Sequence, residues 1–431
     1  MVSQSQSKKP SFRSILGLSA LVFFMSDVRD GVGPFLAIYL KSTLNWDTQK
    51  TGIALASMSI AAAIMQLPSG LLVDSTKFKR FILALSAVLI SLGCFIILAF
   101  PSLLNVILAQ STIGVASAVI PPSIAAITIG LVGRKAFPKR VSINETWNHT
   151  GNLFTALTAG VLGQYLGHHW ILYVVGIFSL MSILSILFIN PEEIDHSAAR
   201  ELAPNNDKNN PNGKPEPILK LLKQKSILIF SVSIILFHLA NAAQLPLVGQ
   251  LLAKQNPNID ALFMAGSIIL AQFVMIGVAY AVGFLMNSFG RKPIFLIAFL
   301  ILPIRAILYT LTTNPILLLA IQLLDGIGAG IFGVIAIVIV SDLTQGTGRF
   351  NFFQGLVALC TGLGAALSNL IAGSIVKAWG YNTGFLSLSL LSVVGLIFFW
   401  IFMPETKDDN ISKKDSSSPA QDSHKKSSSI G

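Results

Sequence analysis

Charged side chains are scarce in this chain. Asp, Glu, Lys and Arg make up 11% of its 431 residues, whereas 53% are hydrophobic, and a soluble domain carries about 25% charge. So few charges cannot cover a folded chain of this length in water, but they suffice where lipid is the solvent. The net charge of +11 lies in loops between apolar runs, which argues against a nucleic-acid partner. The composition therefore predicts an integral membrane protein.

Cysteine and catalytic motifs are scarce as well. Only Cys94 and Cys360 occur, each inside an apolar run, so no disulfide framework or cysteine metal site is available. We interpret both as small core residues. The sequence has no phosphate-binding loop, zinc spacing or Ser/His/Asp arrangement. We therefore expect no cofactor, no metal and no enzymatic activity.

Long apolar runs are abundant. A bilayer core requires about 20 apolar residues per helix, and twelve runs reach that length. These runs, spans 1 to 12, are 14–40, 51–73, 81–100, 103–132, 141–163, 170–189, 227–252, 261–286, 294–312, 316–341, 351–376 and 383–403. The polar start of the chain has no cleavable small-residue site, and the first run is too long for a signal peptide, so we interpret it as a retained helix.

The polar stretches divide the chain into five segments. We predict an N-terminal segment (1–13), a six-helix bundle (14–190), a linker (191–225), a second six-helix bundle (226–403) and a tail (404–431). Residues 191–216 are rich in Asn, Pro and Glu, and the tail is rich in Ser, Lys and Asp. Because such compositions bury little apolar surface, we expect both stretches to be disordered.

Lysine and arginine predict the orientation. Of the 30 basic residues, most lie on the side that carries the termini, the linker and every second loop. Arg29 and Arg305 lie inside spans. The opposite side holds only Lys41, Lys50, Lys254 and Lys377. This positive-inside bias predicts that both termini and the linker are cytoplasmic in a plasma membrane, the inner membrane if the source is bacterial.

One short motif occurs twice, about half a chain length apart. The first copy covers 70–80, between spans 2 and 3, and the second covers 283–292, between spans 8 and 9. At nearly the same separation, Gln110-x-x-x-Gly114 in span 4 recurs as Gln322-x-x-x-Gly326 in span 10. The repeat predicts an all-α fold of two pseudo-symmetric six-helix bundles, an arrangement typical of secondary transporters.

This motif resembles the signature of the major facilitator superfamily, Gly-x-Leu-x-Asp-x-x-Gly-Arg-Lys, and the resemblance extends over nearly the whole chain. The first copy has Lys77 at the second glycine and Phe78 at the first basic position, and the second copy has Asn287 in place of Asp. The resemblance implies a cytoplasmic latch in which Asp74 contacts a neighbouring helix and stabilises the outward-facing state. The implied gating residues are Gly70, Asp74, Lys79, Arg80, Gly283, Asn287, Gly290, Arg291 and Lys292.

Two departures from the family pattern bear on function. Gln110 and Gln322 stand where proton-coupled members have arginine in span 4. Span 5 lacks the Gly-Pro pair of twelve-helix drug antiporters, since 150–154 contains no proline. Both departures argue against a drug antiporter and leave the fold prediction unchanged.

Span 1 carries the first group of candidate pathway residues. Ionisable groups within a bilayer are rare and usually functional. Asp27 and Asp30 are three residues apart and share a helix face, whereas Arg29 points elsewhere. One hypothesis is that an acid here binds a proton or a cationic solute group, with Arg29 setting its pKa. The alternative is a structural ion pair that holds span 1 to a neighbour.

Span 5 carries a polar stripe. Asn144, Glu145, Asn148, His149 and Asn152 recur at helical spacing, and span 11 has no counterpart. Glu145 and His149 together suit a proton relay. The alternative is that Glu145 forms a surface pair with a nearby basic residue, Arg140.

Other polar residues lie in the second half. Span 10 holds Asp325, which functions in transport or accepts an interhelical hydrogen bond. Span 7 holds His238, Asn241 and Gln244, which either line a cavity or pack. Arg305 in span 9 either neutralises an acid such as Asp325 or extends toward the membrane surface.

We predict a monomeric, proton-coupled transporter of a small organic solute that rocks two bundles around a midplane cavity. Coupling would depend on Asp27, Asp30 and Glu145, with His149 assisting. One alternative is a facilitator without proton coupling; another is a membrane receptor on the same fold. Drug-like compounds, metallophores and nutrients remain open as substrates, and so does the direction of transport.

Overall fold

The computed structural model describes residues 10–28, 36, 39–202, 214–255 and 260–407. Within these residues, nine helices are long and apolar enough to cross a membrane. Two of the nine contain two spans each, and Phe12–Ser26 is a shorter apolar helix at the position of span 1. These helices account for all twelve spans. The prediction of an all-α membrane fold is confirmed.

The helices follow the predicted spans closely except in span 1, which was predicted to reach residue 40 and whose described helix ends at Val28. In the first half they are Phe12–Val28 (span 1), Thr48–Ser75 (span 2), Lys79–Ala99 (span 3), Leu103–Leu166 (spans 4 and 5) and His169–Phe188 (span 6). In the second half they are Lys225–Asn241 and Gln244–Gln255 (span 7), Asp260–Phe289 (span 8), Lys292–Leu311 (span 9), Pro315–Leu343 (span 10) and Phe350–Phe402 (spans 11 and 12). A short linker helix, Ile218–Leu222, precedes span 7.

Local sequence determines where several of these helices begin and turn. Spans 4 and 5 meet at Gly133, with φ 71°, and spans 11 and 12 meet at Gly380, with φ 83°. Glycine adopts positive φ without a steric penalty. Ser102 and Asn314 begin spans 4 and 10, and each side chain accepts a backbone N–H of the first turn. These two caps occupy matching places in the repeat.

Each half has an apolar core and an apolar outer surface. Leu21, Ile90 and Phe178 belong to the core of the first half. Phe237, Phe299 and Phe399 belong to the main core of the second half. Large side chains also cover the outside, where Phe81, Phe273, Leu370 and Trp400 are mostly exposed. A surface this apolar suits contact with lipid hydrocarbon.

The linker is ordered in part of the stretch where disorder was predicted. Two short 3-10 helices, Pro191–Glu193 and Ala198–Arg200, cross the end of span 4. The Asp195 N–H donates to the Gly130 carbonyl at 2.9 Å, and Ala199 is fully buried. Composition did not reveal this docking, because it depends on a few backbone hydrogen bonds and one small buried side chain. Residues 203–213 lie outside the described residues.

The first residues of the predicted tail are also docked. Glu405 accepts the backbone N–H groups of Arg291 at 2.9 Å and Lys292 at 3.0 Å. Burial alone would raise the pKa of Glu405, but the surrounding backbone N–H donors outweigh it and lower the pKa below its usual value. Residues 404–407 therefore pack against the loop between spans 8 and 9. Residues 408–431 lie outside the described residues.

Candidate functional site

A cavity of about 230 Å³ lies between the two halves. Spans 1, 4 and 5 supply its wall from the first half, and spans 10 and 11 supply the wall from the second half. Most lining side chains are apolar, including Val22, Met25, Ile124, Phe332 and Val357. The polar lining residues are Ser26, Thr128, Asn144, Glu145, Asn148 and Gln354.

Among the residues that the structure describes, Glu145 is the acidic one in this lining. The Asn148 Nδ2–H donates to Glu145 Oε2 at 3.2 Å, and the Asn144 Nδ2–H donates to Thr128 Oγ1 at 2.8 Å. Across the cavity, a Cβ added to Gly333 would lie 3.3 Å from Glu145 Oε2. The absence of a side chain at Gly333 therefore lets the carboxylate approach span 10, so that Glu145 belongs to the interface between halves.

The alternative of a surface pair between Glu145 and Arg140 does not match this geometry. Arg140 Nη2 instead donates to Ser19 Oγ at 2.8 Å, which ties span 5 to span 1. Glu145 faces the cavity.

The other residues of the span 5 stripe have separate surroundings. His149 is buried, and its Nδ1 lies 2.8 Å from Gln272 Oε1 on span 8. This hydrogen bond joins the two halves. Asn152 lies one turn further along, and within the described residues its buried Oδ1 has no hydrogen-bond partner. The structure thus divides the stripe between the cavity wall and the interface with span 8.

The span 1 candidates lie at the edge of what the structure describes. Span 1 is helical through Val28, so the backbone of Asp27 is placed but its side chain is not described. Arg29 and Asp30 lie outside the described residues. The turn before Asp27 contributes Met25 and Ser26 to the cavity wall.

Arg305 organises a second polar cluster, within the second half. Its guanidinium is 1% exposed and forms an ion pair with Asp325. Its Nε–H donates to Gln244 Oε1 at 2.9 Å, and its Nη2–H donates to Asn241 Oδ1. Three predicted site residues from spans 7 and 10 therefore converge on one arginine from span 9. Of the two alternatives for Arg305, neutralisation of Asp325 is the one observed.

His238 is separate from that cluster. Its ring lies edge-on to Phe332, with the ring centroids 4.7 Å apart, and beside Phe237 at 5.4 Å. Phe332 lines the central cavity. His238 therefore packs behind the cavity wall.

The loop ends of both halves meet on one face of the bundle, which we call the linker face: the ends of spans 2 to 5 and 8 to 11 beside the linker. Asp74 is buried there at the N-terminus of span 11. Its Oδ1 accepts Asn351 N–H at 3.1 Å and Asn351 Nδ2–H at 2.8 Å, and its Oδ2 accepts Phe352 N–H at 2.9 Å. A helix N-terminus presents unpaired N–H groups and a positive dipole end, which suit a carboxylate. Asp74 thus bonds the first half to the second.

Among the other residues of the first motif copy, Gly70 contacts the second half, whereas Lys79 and Arg80 bond within the first half. Gly70 lies so close to Asn351 that any Cβ would clash with its backbone. Lys79 Nζ donates to the Thr76 carbonyl at 2.6 Å. Arg80 Nη2 donates to the Ile186 carbonyl on span 6 at 2.9 Å.

The second motif copy is built differently. Gly283 packs against Ser142 of span 5, whose Oγ–H donates to the Ala279 carbonyl at 2.7 Å. Gly290 has φ 87°, and a Cβ there would clash with the Glu405 carboxylate that binds Arg291 and Lys292. Asn287, the counterpart of Asp74, is exposed, and its carbonyl accepts Lys407 Nζ–H at 2.6 Å.

A charged network on the linker face was not predicted from the sequence. Arg134, after span 4, pairs with linker Glu201 at 2.9 Å and with Asp342 of span 10 at 3.4 Å. Arg291 pairs with Asp342 at 3.1 Å. Burial raises the pKa of Glu201, although Arg134 and Ser341 oppose the shift. The sequence signal for this network is that Asp342, one of only 19 acidic residues, lies at the end of a span.

These contacts close the linker face beneath the cavity. Span 2 packs on span 11 at Gly70, and span 5 packs on span 8 at Gly283. Two helical bundles around a shared, partly polar cavity, joined at one face by hydrogen bonds and ion pairs, are typical of membrane transporters.

Comparison with known proteins agrees with that class. A family model described as Major Facilitator Superfamily matches residues 16–311 and 230–428. An uncharacterised MFS-type transporter of Mycobacterium tuberculosis strain H37Rv is 42% identical over 394 residues, which cover 91% of this chain and 94% of that protein. The chain therefore belongs to the major facilitator superfamily, and it is an integral membrane transporter.

Solved structures show the same fold. The proton:xylose symporter XylE has a TM-score of 0.69 at 14% identity, covering 91% of this chain and 96% of its own. The human organic anion transporter MFSD10 has a TM-score of 0.65 at 15% identity, covering 92% of this chain and all of its own. At these identities the likeness concerns the fold alone.

Proposed function

We propose that this transporter moves a small organic solute by alternating access and couples that movement to protons. The observation that carries the proposal is the position of Glu145 in the wall of the central cavity, against Gly333 of the opposite half. An ionisable group held within a bilayer is rarely structural alone. Because the carboxylate touches both halves, gain or loss of its proton changes the contact between them.

The cavity lining supports a small, amphipathic solute. Apolar side chains from both halves form most of the wall, and amide groups of Asn144, Asn148 and Gln354 add hydrogen-bonding positions. The volume of about 230 Å³ is somewhat below that of sites for drug-sized ligands, about 300–1,000 Å³. A solute with an apolar body and a cationic or hydrogen-bonding group suits this lining.

The closed linker face supports the assignment of this conformation to one step of the transport cycle. The positive-inside distribution supports a cytoplasmic location for that face, and in this proposal the conformation is closed to the cytoplasm. Rocking of the halves would break the Asp74 and Arg134 contacts and expose the cavity to the opposite side of the membrane. Asp27 and Asp30 share the coupling role in this proposal, and His149 assists by linking span 5 to span 8.

An uncoupled facilitator is the second candidate function. Gln110 is fully buried, and within the described residues neither polar atom of its amide has a hydrogen-bond partner. A neutral amide at this position supplies none of the charge that an arginine would bring to a proton pathway.

A pH-jump assay in proteoliposomes separates the two candidates. Wild type, Glu145→Gln and Asp27→Asn are tested with a panel of organic cations, neutral nutrients and metallophores, and proton and solute fluxes are recorded together. Glu192→Gln is the matched control, since Glu192 is an exposed linker acid. Solute-evoked proton movement that both pathway variants lose supports coupling. Solute flux that continues unchanged after collapse of the proton gradient supports the facilitator.

A further inference from the structure

A second cavity, of about 250 Å³, lies on the linker face away from the transport cavity. One side is the loop that follows span 2, and the other is the ordered part of the linker. Its lining includes Ser75, Thr76, Lys77, His196, Ser197 and Arg200. Two chain segments far apart in sequence therefore enclose it, and both are rich in hydrogen-bond donors.

The charge around this cavity is unbalanced. Lys77 and Arg200 line it, and within the described residues neither has a carboxylate partner at ion-pair distance. Asp74 also lines it, but both of its oxygens already accept hydrogen bonds from Asn351 and Phe352. Asp195, the neighbouring linker acid, directs Oδ1 to the backbone N–H groups of residues 197 and 198. Hydrogen bonds from neutral amides leave the charge of Asp74 in place, so the two cations of the lining, Lys77 and Arg200, outnumber its carboxylate by one.

Two buried nitrogen atoms beside the cavity lack hydrogen-bond partners in the described part of the chain. They are Nε of Arg200 and Nδ1 of His196. Burial, followed by the positive charges of Lys79 and Lys77, lowers the pKa of His196, so the ring is neutral near pH 7. Buried polar groups in folded proteins are nearly always satisfied, and an exception calls for an explanation such as a bound ion.

We propose that this cavity binds a phosphoryl group, carried either by a soluble phosphate compound or by a phospholipid headgroup. A guanidinium donates in a planar fork and an ammonium donates as a point charge, and both suit phosphate oxygens. The Ser197 hydroxyl offers a further donor from the linker side of the cavity, whereas the Ser75 hydroxyl already donates to the Leu72 carbonyl at 2.9 Å. The tetrahedral oxygens of one phosphoryl group reach donors on both segments at once.

Occupation of this site would stabilise the closed linker face. The adjacent Ala199 carbonyl accepts Asn351 Nδ2–H at 2.9 Å, and Asn351 also donates to Asp74. A phosphoryl group that bridges Lys77 and Arg200 holds the linker on the loop that directly follows Asp74 and the end of span 2. The bound anion therefore favours the conformation in which spans 2 and 11 are joined.

The test is a thermal-unfolding titration of the purified full-length protein. Inorganic phosphate is titrated into detergent-solubilised protein against chloride at constant ionic strength. In a parallel arm, nanodiscs of phosphatidylglycerol are compared with nanodiscs of phosphatidylcholine. The variants are Arg200→Gln and Lys77→Gln, the latter at an exposed loop residue. Lys220→Gln is the matched control, because Lys220 is an exposed linker cation that pairs with Glu216.

We expect a saturable stabilisation of wild type and of Lys220→Gln. Loss of one charge-assisted contact should weaken the response about tenfold or more in Arg200→Gln and Lys77→Gln. A response to inorganic phosphate identifies a soluble ligand, and a response to phosphatidylglycerol alone identifies a lipid headgroup. The proposal is overturned if neither probe stabilises the wild type, or if all four proteins respond equally.

Discussion

At the scale of single residues, the two halves use intramembrane charge in different ways. Glu145 lies in a cavity wall that both halves share, whereas Arg305 and Asp325 neutralise each other inside the second half. A charge in the cavity wall can exchange a proton or bind a solute group. A buried pair that is also hydrogen-bonded to Asn241 and Gln244 holds three spans together.

The Arg305 cluster leads to a stability prediction. Removal of one partner from a buried ion pair leaves an uncompensated charge and costs about 3–5 kcal/mol. We expect Arg305→Leu to destabilise the protein by that order, and the double variant Arg305→Leu/Asp325→Leu to recover much of the loss. Unfolding titrations in detergent measure both values. An Arg305→Leu variant as stable as wild type would refute this account of the cluster.

At the scale of elements, the two copies of the repeated motif join the halves through different contacts. Asp74 binds the N-terminus of span 11, while its counterpart Asn287 is exposed and contacts the tail. The second copy instead receives Glu405 and the charged network around Asp342. The same motif therefore binds the N-terminus of span 11 in one half and the first residues of the tail in the other.

The latch makes a prediction about conformation. Asp74→Ala removes three accepted hydrogen bonds. We expect this loss to shift the equilibrium between the closed and the open linker face by about 2 kcal/mol, so that the ratio of open to closed protein rises roughly thirtyfold. Spin labels at the exposed positions Ala136 and Gln224 report the separation of the halves, and a longer distance should gain population. The matched control is Asn287→Ala, which should leave the distribution unchanged. Equal distributions in both variants would exclude a latch role for Asp74.

The docked tail makes a prediction about pH. Because the docked-state pKa of Glu405 lies below its usual value, docking contributes stability that is fully present above the ordinary carboxyl pKa of about 4.3. That contribution is lost as the pH falls through the docked-state pKa. A fluorophore on Asp408→Cys should report release of the tail only in acid. The same probe in Glu405→Gln should report a released tail already at pH 7; a pH response identical to that of the parent would contradict this explanation.

At the scale of the whole molecule, the sequence predicted much of the architecture and less of the site. Hydropathy and the repeat were sufficient for twelve spans, because a bilayer imposes helix length and polarity. They were not sufficient for the partners of Arg305, because those depend on which helix faces meet. The docking of Ala199 and Glu201 was also missed, since the polar linker has no periodic signal. The role of Gly333 was missed for the same reason, because it depends on the contact with Glu145 across the cavity.

The most direct test of the central claim compares two modes of transport in one protein. Exchange of labelled for unlabelled solute needs binding and rocking of the halves, but net accumulation driven by a pH gradient also needs coupling. Proteoliposomes with wild type and with Glu145→Gln are measured in both modes. We predict that Glu145→Gln retains exchange and loses pH-driven accumulation. Accumulation at the wild-type level in Glu145→Gln would contradict the assignment of proton coupling to this carboxylate.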